Sequence, residues 1–256
     1  MSDPTPAAAP ASARRRGALY VIWEPATPRA DAGFFQRFLD RAITSFRAHH
    51  PELPYHVATL PRGSTLHDKA GMFEHSPFDV TVFLDADTVV LGRLDYGFEM
   101  AERFGLACCH CVNPWLRRYV GVTGDPIEYN TGVLFFSAAA RSVFDAWRIA
   151  APLLDSRATH VRDGVIGVSP RDDQLSFSHA VQHSARPPFV LPHNWNFAPP
   201  YHHAFFGPIK IWHSYAEVPD AVREINRYYE RPGAIMQYHE LGATAPPWYA
   251  APEPSS

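Results

Sequence analysis

Two carboxylates, Asp85 and Asp87, directly follow an apolar run in the segment VFLDADTVV at residues 82–90. Side chains two positions apart on an extended chain point to the same face, so both acids should lie on one side of the strand end. Like charges this close repel each other unless a cation, a proton or a substrate separates them. A divalent cation would cancel the acidic charge and could hold a diphosphate. The pair therefore predicts a metal site, although a helix cap or a solvated turn also produces this spacing.

The segments around this pair alternate between strand and helix. Apolar runs indicate three strands, and apolar residues three and four apart indicate two helices. These segments are residues 18–23, 35–46, 55–60, 66–73 and 79–84. Such alternation predicts an α/β fold with a mainly parallel sheet flanked by helices, in which ligands bind beyond the carboxyl ends of the strands. Asp85 and Asp87 are expected at that edge, whereas the phenylalanines of residues 34–38 are expected in the core.

The chain beyond residue 90 continues this pattern and then becomes rich in loops, where many of its 25 prolines lie. A helix at residues 95–104 is predicted to end at Gly105, and a further helix to begin near Asp172. Strands are predicted at residues 106–112, 133–136 and 209–213. The first of these contains Cys108, Cys109 and Cys111, for which a buried strand with reduced thiols is favoured over a zinc site, because no second cysteine pair exists.

The composition indicates one domain and argues against a nucleic-acid partner. With 256 residues and 46% hydrophobic content the chain can form one large core. We place the domain that contains this core at residues 17–245. Residues 1–16 and 246–256 are rich in alanine, proline and serine and are predicted to be disordered tails. A net charge of −3 gives no broad basic field, so no nucleic-acid partner is expected.

No apolar run approaches the roughly 20 residues that a membrane-spanning helix needs. No apolar segment of the signal-peptide kind follows the positive charges at residues 14–16. We therefore expect a cytoplasmic protein without a transmembrane segment, and we make no prediction of its oligomeric state.

Five motifs between Leu66 and Ser214 follow one another in a recognisable order. The first is the Asp85–Asp87 segment together with Lys69, which precedes it. The others are Asn130-Thr-Gly-Val133, Asp173-Gln174, LPHNWNF at residues 191–197 and the segment IWHSY that contains His213. Together they resemble the retaining glycosyltransferases of family 8, the group that includes glycogenin. The resemblance covers over half the chain and implies a single GT-A-type domain, the fold of nucleotide-diphospho-sugar transferases.

The resemblance also implies a set of metal ligands. Asp85, Asp87 and His213 would bind Mn²⁺, with Mg²⁺ as the alternative ion. An imidazole ligand favours Mn²⁺, because Mg²⁺ prefers oxygen ligands and keeps its water.

The remaining family motifs imply contacts to the substrates. The expected reaction moves a hexose from a nucleotide-diphosphate sugar, in the family's usual case a uridine-diphosphate sugar, to a carbohydrate or other hydroxyl acceptor with retained configuration. The donor would be contacted by Lys69, Asp85, Asn194 and Asn196. The reaction centre would be lined by Asn130, Asp173 and Gln174.

Two departures from the family pattern affect the donor. Ser214 and Tyr215 follow His213 where the family continues with a segment whose lysine contacts the donor phosphate. The first predicted strand ends in Trp23 and Glu24 where the family has its contacts to uracil, so the nucleotide base stays open.

Alternatives remain open on sequence grounds. Phosphatases of the haloacid dehalogenase type carry a similar acidic motif, in which Asp85 would be the nucleophile, but they place it on the first core strand. A non-catalytic carbohydrate-binding relative would keep the fold without turnover. For a transferase, retention could use front-face departure or a double displacement with Asp173 as the candidate nucleophile. Residues 113–128 fit an acceptor loop or lid as well as a plain solvated loop.

Overall fold

The computed structural model describes residues 14–24, 33–111, 127–157, 159–162, 164–168, 172–199 and 201–241. The helices are α1 (Phe34–His49), α2 (Met72–His75), α3 (Asp95–Phe104), α4 (Arg141–Ala150), α5 (Gln174–Gln182) and α6 (Asp220–Tyr229). The strands are β1 (Arg16–Ile22), β2 (Tyr55–Thr59), β3 (Val80–Leu84), β4 (Thr88–Val90), β5 (Leu106–His110), β6 (Tyr129–Ser137), β7 (Thr159–Arg162), β8 (Val165–Val168), β9 (Phe189–Val190), β10 (Ala204–Phe206), β11 (Ile211–His213) and β12 (Tyr238–Glu240).

Three predictions fall wholly or largely outside the described residues. These are the tail predicted at residues 1–16, of which 1–13 lie outside, the tail predicted at 246–256, and the acceptor loop expected at 113–128, of which 113–126 lie outside. Among the described residues, no helix combines the length and the apolar character that crossing a bilayer requires.

The central sheet has six strands in the order β2-β1-β3-β6-β5-β9. Strand β6 runs antiparallel to both of its neighbours, and the other pairs in the sheet are parallel. The predicted α/β fold with a mainly parallel sheet is therefore confirmed. Strand β3 is buried along its whole length, as expected for a strand covered by helices on both faces.

The two faces of the sheet carry separate apolar clusters. On β1, Ala18 and Tyr20 belong to the cluster that includes Leu39 and Phe46 of α1. The intervening Leu19 belongs to the cluster on the opposite face, with Phe144 and Trp147 of α4. This alternation with a period of two is what a strand between two helical layers requires.

A short antiparallel pair outside the central sheet joins distant parts of the chain. Strand β4, which follows the acidic segment, pairs with β11 so that Thr88 lies opposite His213. A third apolar cluster beneath this pair includes Val89, Phe197 and Trp212 and supports it. The late histidine is therefore brought beside the acidic segment by backbone pairing.

Two predicted elements need correction. Arg16, which we had included in the disordered N-terminal tail, is the first residue of β1, and its guanidinium donates to both carboxylate oxygens of Glu102 at 2.9 and 3.0 Å. The helix predicted at residues 66–73 begins as a 3₁₀ segment, Leu66–Gly71, and continues as α2. Asp68 accepts from the backbone N–H of Thr65 at its start, which satisfies a donor that a helix terminus leaves free.

Candidate functional site

The side chains of Asp85, Asp87 and His213 converge beyond the carboxyl end of β3. The Nε2 atom of His213 lies 3.3 Å from Oδ1 of Asp87 and 3.8 Å from Oδ2 of Asp85. Each residue offers a ligand atom within 4.8 Å of the others, so the three could hold one metal ion. This is the set of residues that the family resemblance implied.

A tight turn presents the two acids on the same side. The hydroxyl of Thr88 donates to the backbone carbonyl of Asp85 at 2.7 Å, and the Thr88 N–H donates to the same oxygen at 3.1 Å. The N–H of Asp85 donates to the carbonyl of Gly132 at 2.8 Å, which ties the turn to β6. From the other side, Ser214 N–H donates to the carbonyl of Asp87 at 3.0 Å. These contacts fix the backbone of both acids before any ligand binds.

Gly132 lies directly beneath the three candidate ligands. A Cβ at this position would overlap Cε1 of His213 and lie 2.8 Å from Oδ2 of Asp85. The ring and the carboxylate can occupy their positions because the strand carries no side chain here. The sequence marked Gly132 as part of a family motif, but its packing role is visible in the structure alone.

Asn130, Asn196 and His213 form a connected chain of hydrogen bonds. The Asn196 amide nitrogen donates to Oδ1 of Asn130 at 2.8 Å, and Nδ1 of His213 lies 2.8 Å from Oδ1 of Asn196. The oxygen of Asn130 also accepts from the N–H of Gly132 at 2.8 Å. The structure thus places Asn130 and Asn196 directly behind the candidate metal ligands.

Lys69 forms a buried ion pair with two acids. Its Nζ lies 3.0 Å from Oδ1 of Asp85 and 3.1 Å from Oδ2 of Asp173, and its side chain is 2% exposed. Burial disfavours the charged amine, but the carboxylates of Asp173 and Asp85 outweigh that effect and raise the pKa of Lys69. The lysine therefore stays charged and links the acidic segment to the start of α5.

Burial and neighbouring charges shift the pKa of each of the three candidate ligands. Burial raises the pKa of Asp85 even though Lys69 and His213 lie close. At Asp87 burial is outweighed by the hydrogen bond and charge of His213, so the pKa is lowered. Burial disfavours the His213 imidazolium, yet Asp87 and Asp85 raise its pKa. A cation between the three side chains would satisfy both acids without protonation.

Asp173 and Gln174 lie at the start of α5. Asp173 occupies the N-cap position, but its side chain makes no capping hydrogen bond and instead faces Lys69. The neighbouring Asp172 accepts from the N–H of Gln174 at 3.2 Å. Oε1 of Gln174 is buried without a hydrogen-bond partner among the described residues. A ligand hydroxyl could supply the missing donor.

Asn194 behaves differently from the other predicted site residues. Its side-chain amide donates to the backbone carbonyl of Pro208 at 2.6 Å. Asn194 lies inside the 3₁₀ turn His193–Trp195, whereas Asn196, the residue that follows this turn, faces the metal ligands. The structure therefore assigns Asn194 a contact to the segment between β10 and β11 and does not join it to the cluster.

A cavity of about 380 Å³ opens beside the acidic pair. It is lined by Asp85, Asp87, His213, Val21, Ile22, Trp23, Phe35, Phe38, Leu66, Ala86 and Tyr215. Phe35 and Phe38 are half-buried, so the expectation that residues 34–38 serve purely as core is wrong. The ring of Tyr215 lies 5.0 Å from that of Phe38, and together they form an aromatic wall.

Comparisons with known proteins bear on the fold. No family model and no curated protein sequence matches the chain. The structure of mouse xyloside xylosyltransferase 1 in its apo form has a TM-score of 0.51 at 14% identity, over 80% of this chain and 100% of that one. The chain has a GT-A-type fold.

Further solved glycosyltransferases show weaker likeness. The galactosyltransferase LgtC in complex with donor and acceptor sugar analogues has a TM-score of 0.46 at 11% identity, over 78% of this chain and 87% of that one. The apo form of GlyE from Streptococcus pneumoniae TIGR4 has a TM-score of 0.49 at 13% identity, over 85% of this chain and 60% of that one.

Proposed function

We propose that the protein is a metal-dependent retaining glycosyltransferase that moves a hexose from a nucleotide-diphosphate sugar to an acceptor hydroxyl. The observation that carries this proposal is the convergence of Asp85, Asp87 and His213 beside a cavity at the carboxyl edge of a GT-A-type sheet. A uridine-diphosphate sugar is the first donor to test. Retention rests on the resemblance of the motif order to family 8.

The three side chains suit a divalent cation such as Mn²⁺ or Mg²⁺. Two carboxylates and an imidazole are ligands for such ions, and their ligand atoms lie within 4.8 Å of one another. When bound, the ion stabilises the negative charge of the diphosphate leaving group. His213 would supply the nitrogen ligand, which favours Mn²⁺ over Mg²⁺.

Lys69 acts in this proposal through the carboxylates that it holds. It is almost completely buried, and its ammonium lies between Asp85 and Asp173. It therefore fixes the acidic segment relative to the start of α5, where Gln174 has an unpaired buried oxygen for a sugar hydroxyl.

The environment of Asp173 favours front-face departure over double displacement. Its side chain is 4% exposed and its carboxylate is paired with Lys69, so attack on an anomeric carbon would require breaking a buried ion pair. In the front-face route no protein nucleophile is needed. Asn130 can assist through its amide N–H₂, because its oxygen already accepts two hydrogen bonds.

The aromatic wall is the proposed contact for the nucleotide base. The cavity volume is within the range of small-molecule sites. The wall of Phe38 and Tyr215, together with the further lining residue Phe35, provides apolar ring surface beside the acids. Asn194 lies outside the proposed site, since its amide donates to Pro208.

A panel of nucleotide sugars, with and without Mn²⁺, tests the proposal by thermal shift and by donor hydrolysis. Asp87→Asn should lose the metal-dependent shift and turnover, whereas Asp145→Asn, a change at an exposed acid of α4, should keep both. Undiminished transfer by Asp87→Asn would contradict the assignment. Phosphate release from a generic phosphoester would instead support the phosphatase, and donor binding without any hydrolysis would support a non-catalytic relative.

A further inference from the structure

Three hydrogen bonds connect Gly132 to His213 through the side chains of Asn130 and Asn196, and only one assignment of donors and acceptors is possible along them. The backbone N–H of Gly132 donates to one side-chain atom of Asn130, and a backbone N–H can only donate. That atom must therefore be the oxygen of Asn130. The atom of Asn196 that contacts this oxygen at 2.8 Å must in turn be the amide nitrogen.

The orientation of Asn196 then determines the proton on the imidazole. With its nitrogen directed to Asn130, Asn196 presents its oxygen to Nδ1 of His213 at 2.8 Å. Nδ1 must carry the proton of this hydrogen bond, so a neutral His213 has its lone pair on Nε2. Nε2 is the atom that faces Asp87 and Asp85 at 3.3 and 3.8 Å.

Asn196 is itself held firmly enough to orient the ring. It is 3% exposed, and its backbone N–H donates to the carbonyl of His193 at 3.0 Å. The next residue, Phe197, exchanges backbone hydrogen bonds of 2.8 Å with the segment of Ile211 and His213. Asn196 and His213 are therefore fixed to each other by backbone as well as by side chain.

We propose that Asn196 is a positioning residue that keeps Nδ1 of His213 protonated and directs the Nε2 lone pair toward a divalent cation. Partners of this kind fix the tautomer and ring orientation of a metal-binding histidine. The proposal rests on the proposed function of Asp85, Asp87 and His213 as a metal site, and it assigns Asn196 a role behind that site instead of a contact to the donor.

Mn²⁺ affinity, measured from the electron paramagnetic resonance signal of the free ion without any nucleotide sugar, tests the proposal. Asn196→Leu removes the acceptor at similar volume and should weaken Mn²⁺ binding by roughly 10- to 100-fold. Asn196→Asp keeps an oxygen against Nδ1 and should bind Mn²⁺ more tightly than Asn196→Leu. Asn194→Leu is the matched control in the same segment, because its amide donates to Pro208, and it should leave Mn²⁺ affinity unchanged.

The position of the proton on the His213 ring provides a second readout, which a folding defect alone would not change. In metal-free protein at alkaline pH, where the ring is neutral, ¹⁵N spectra should show His213 with its proton on Nδ1, and Asn196→Leu should lose this preference. The His213→Gln spectrum identifies the resonance.

Several outcomes would overturn the proposal. These are wild-type Mn²⁺ affinity in Asn196→Leu, equal losses in Asn194→Leu and Asn196→Leu, or a wild-type ring with its proton on Nε2. Because neither measurement uses a sugar donor, a failure here is distinct from a failure of the proposed transferase, which would appear as absent turnover with the Nδ1 tautomer intact.

Discussion

The ammonium group of Lys69 lies 3.1 Å from the carboxylate of Asp173, and both side chains are almost completely buried. The same ammonium also pairs with Asp85, so one positive charge serves two buried acids. Removing the lysine would leave both carboxylates without their closest cation in a poorly solvated place. The site therefore depends on Lys69 for folding as well as for charge.

Lys69→Met should lower the free energy of unfolding by about 3–5 kcal/mol, the usual effect of breaking a buried ion pair from one side. Urea denaturation without divalent cations measures it. Arg15→Met is the control, because Arg15 and Asp79 form an exposed pair whose loss should cost under about 1 kcal/mol. Equal effects of the two substitutions would show that the buried pair does not support the fold.

Gly132→Ala should abolish most Mn²⁺ binding while the secondary structure is kept. The added methyl group would displace the ring of His213 and crowd Asp85, so we expect at least a roughly tenfold loss of Mn²⁺ affinity. Isothermal titration calorimetry measures this. Gly71→Ala places its methyl group 3.9 Å from its nearest neighbour among the described residues, Nε2 of His75, and should bind Mn²⁺ as the wild type does. Intact binding by Gly132→Ala would contradict the ring position described here.

The stabilisation by Mn²⁺ should grow between about pH 6 and about pH 8. The pKa of His213 is raised in the metal-free protein, so its proton stabilises the fold at acidic pH, and that contribution is lost as the pH rises through the raised pKa. A cation must displace this proton from Nε2, and it does so more easily at higher pH. The difference in Tm with and without Mn²⁺ at each pH measures the effect. A difference that shrinks as the pH rises would contradict it.

Phe38→Leu should weaken nucleotide binding while Mn²⁺ binding is kept. Phe38 lines the cavity, and loss of one ring contact, worth about 0.5–1.5 kcal/mol, corresponds to a roughly twofold to tenfold weaker affinity. Thermal shift with the nucleoside diphosphate and Mn²⁺ measures it. Tyr238→Leu removes an exposed aromatic ring of β12 and should have no effect. Equal nucleotide affinity in Phe38→Leu would place the base elsewhere.

The sequence predicted those parts of the site that depend on local geometry. The apolar run before Asp85 correctly predicts a strand that ends at the sheet edge. The two acids do lie on one side, but a tight turn closed by Thr88 places them there, whereas the sequence argument assumed extended chain. The position of His213 depends on the pairing of β4 with β11, which hydrophobic periodicity does not determine. The order of family motifs supplied that contact.

Other features could not be predicted because they depend on what lies opposite a residue. Helical periodicity correctly placed Phe38 on the inner side of α1, but it cannot show whether that side meets other side chains or a cavity. A run of arginines is usually solvated, yet Arg16 meets Glu102 across the domain. Asn194 and Asn196 are both asparagines and lie two residues apart. The 3₁₀ conformation of the backbone between them directs the Asn194 amide to Pro208 and the Asn196 amide to Asn130.

The pairing of β4 with β11 has a consequence for how the chain is assembled. A cation held by Asp85 and His213 would close a very long loop of the polypeptide, as a covalent cross-link between these two residues would. During synthesis the acids emerge well before the histidine, so the complete ligand set forms once the later half has docked. Protection of that later half from proteases is therefore expected to increase when the ion is supplied.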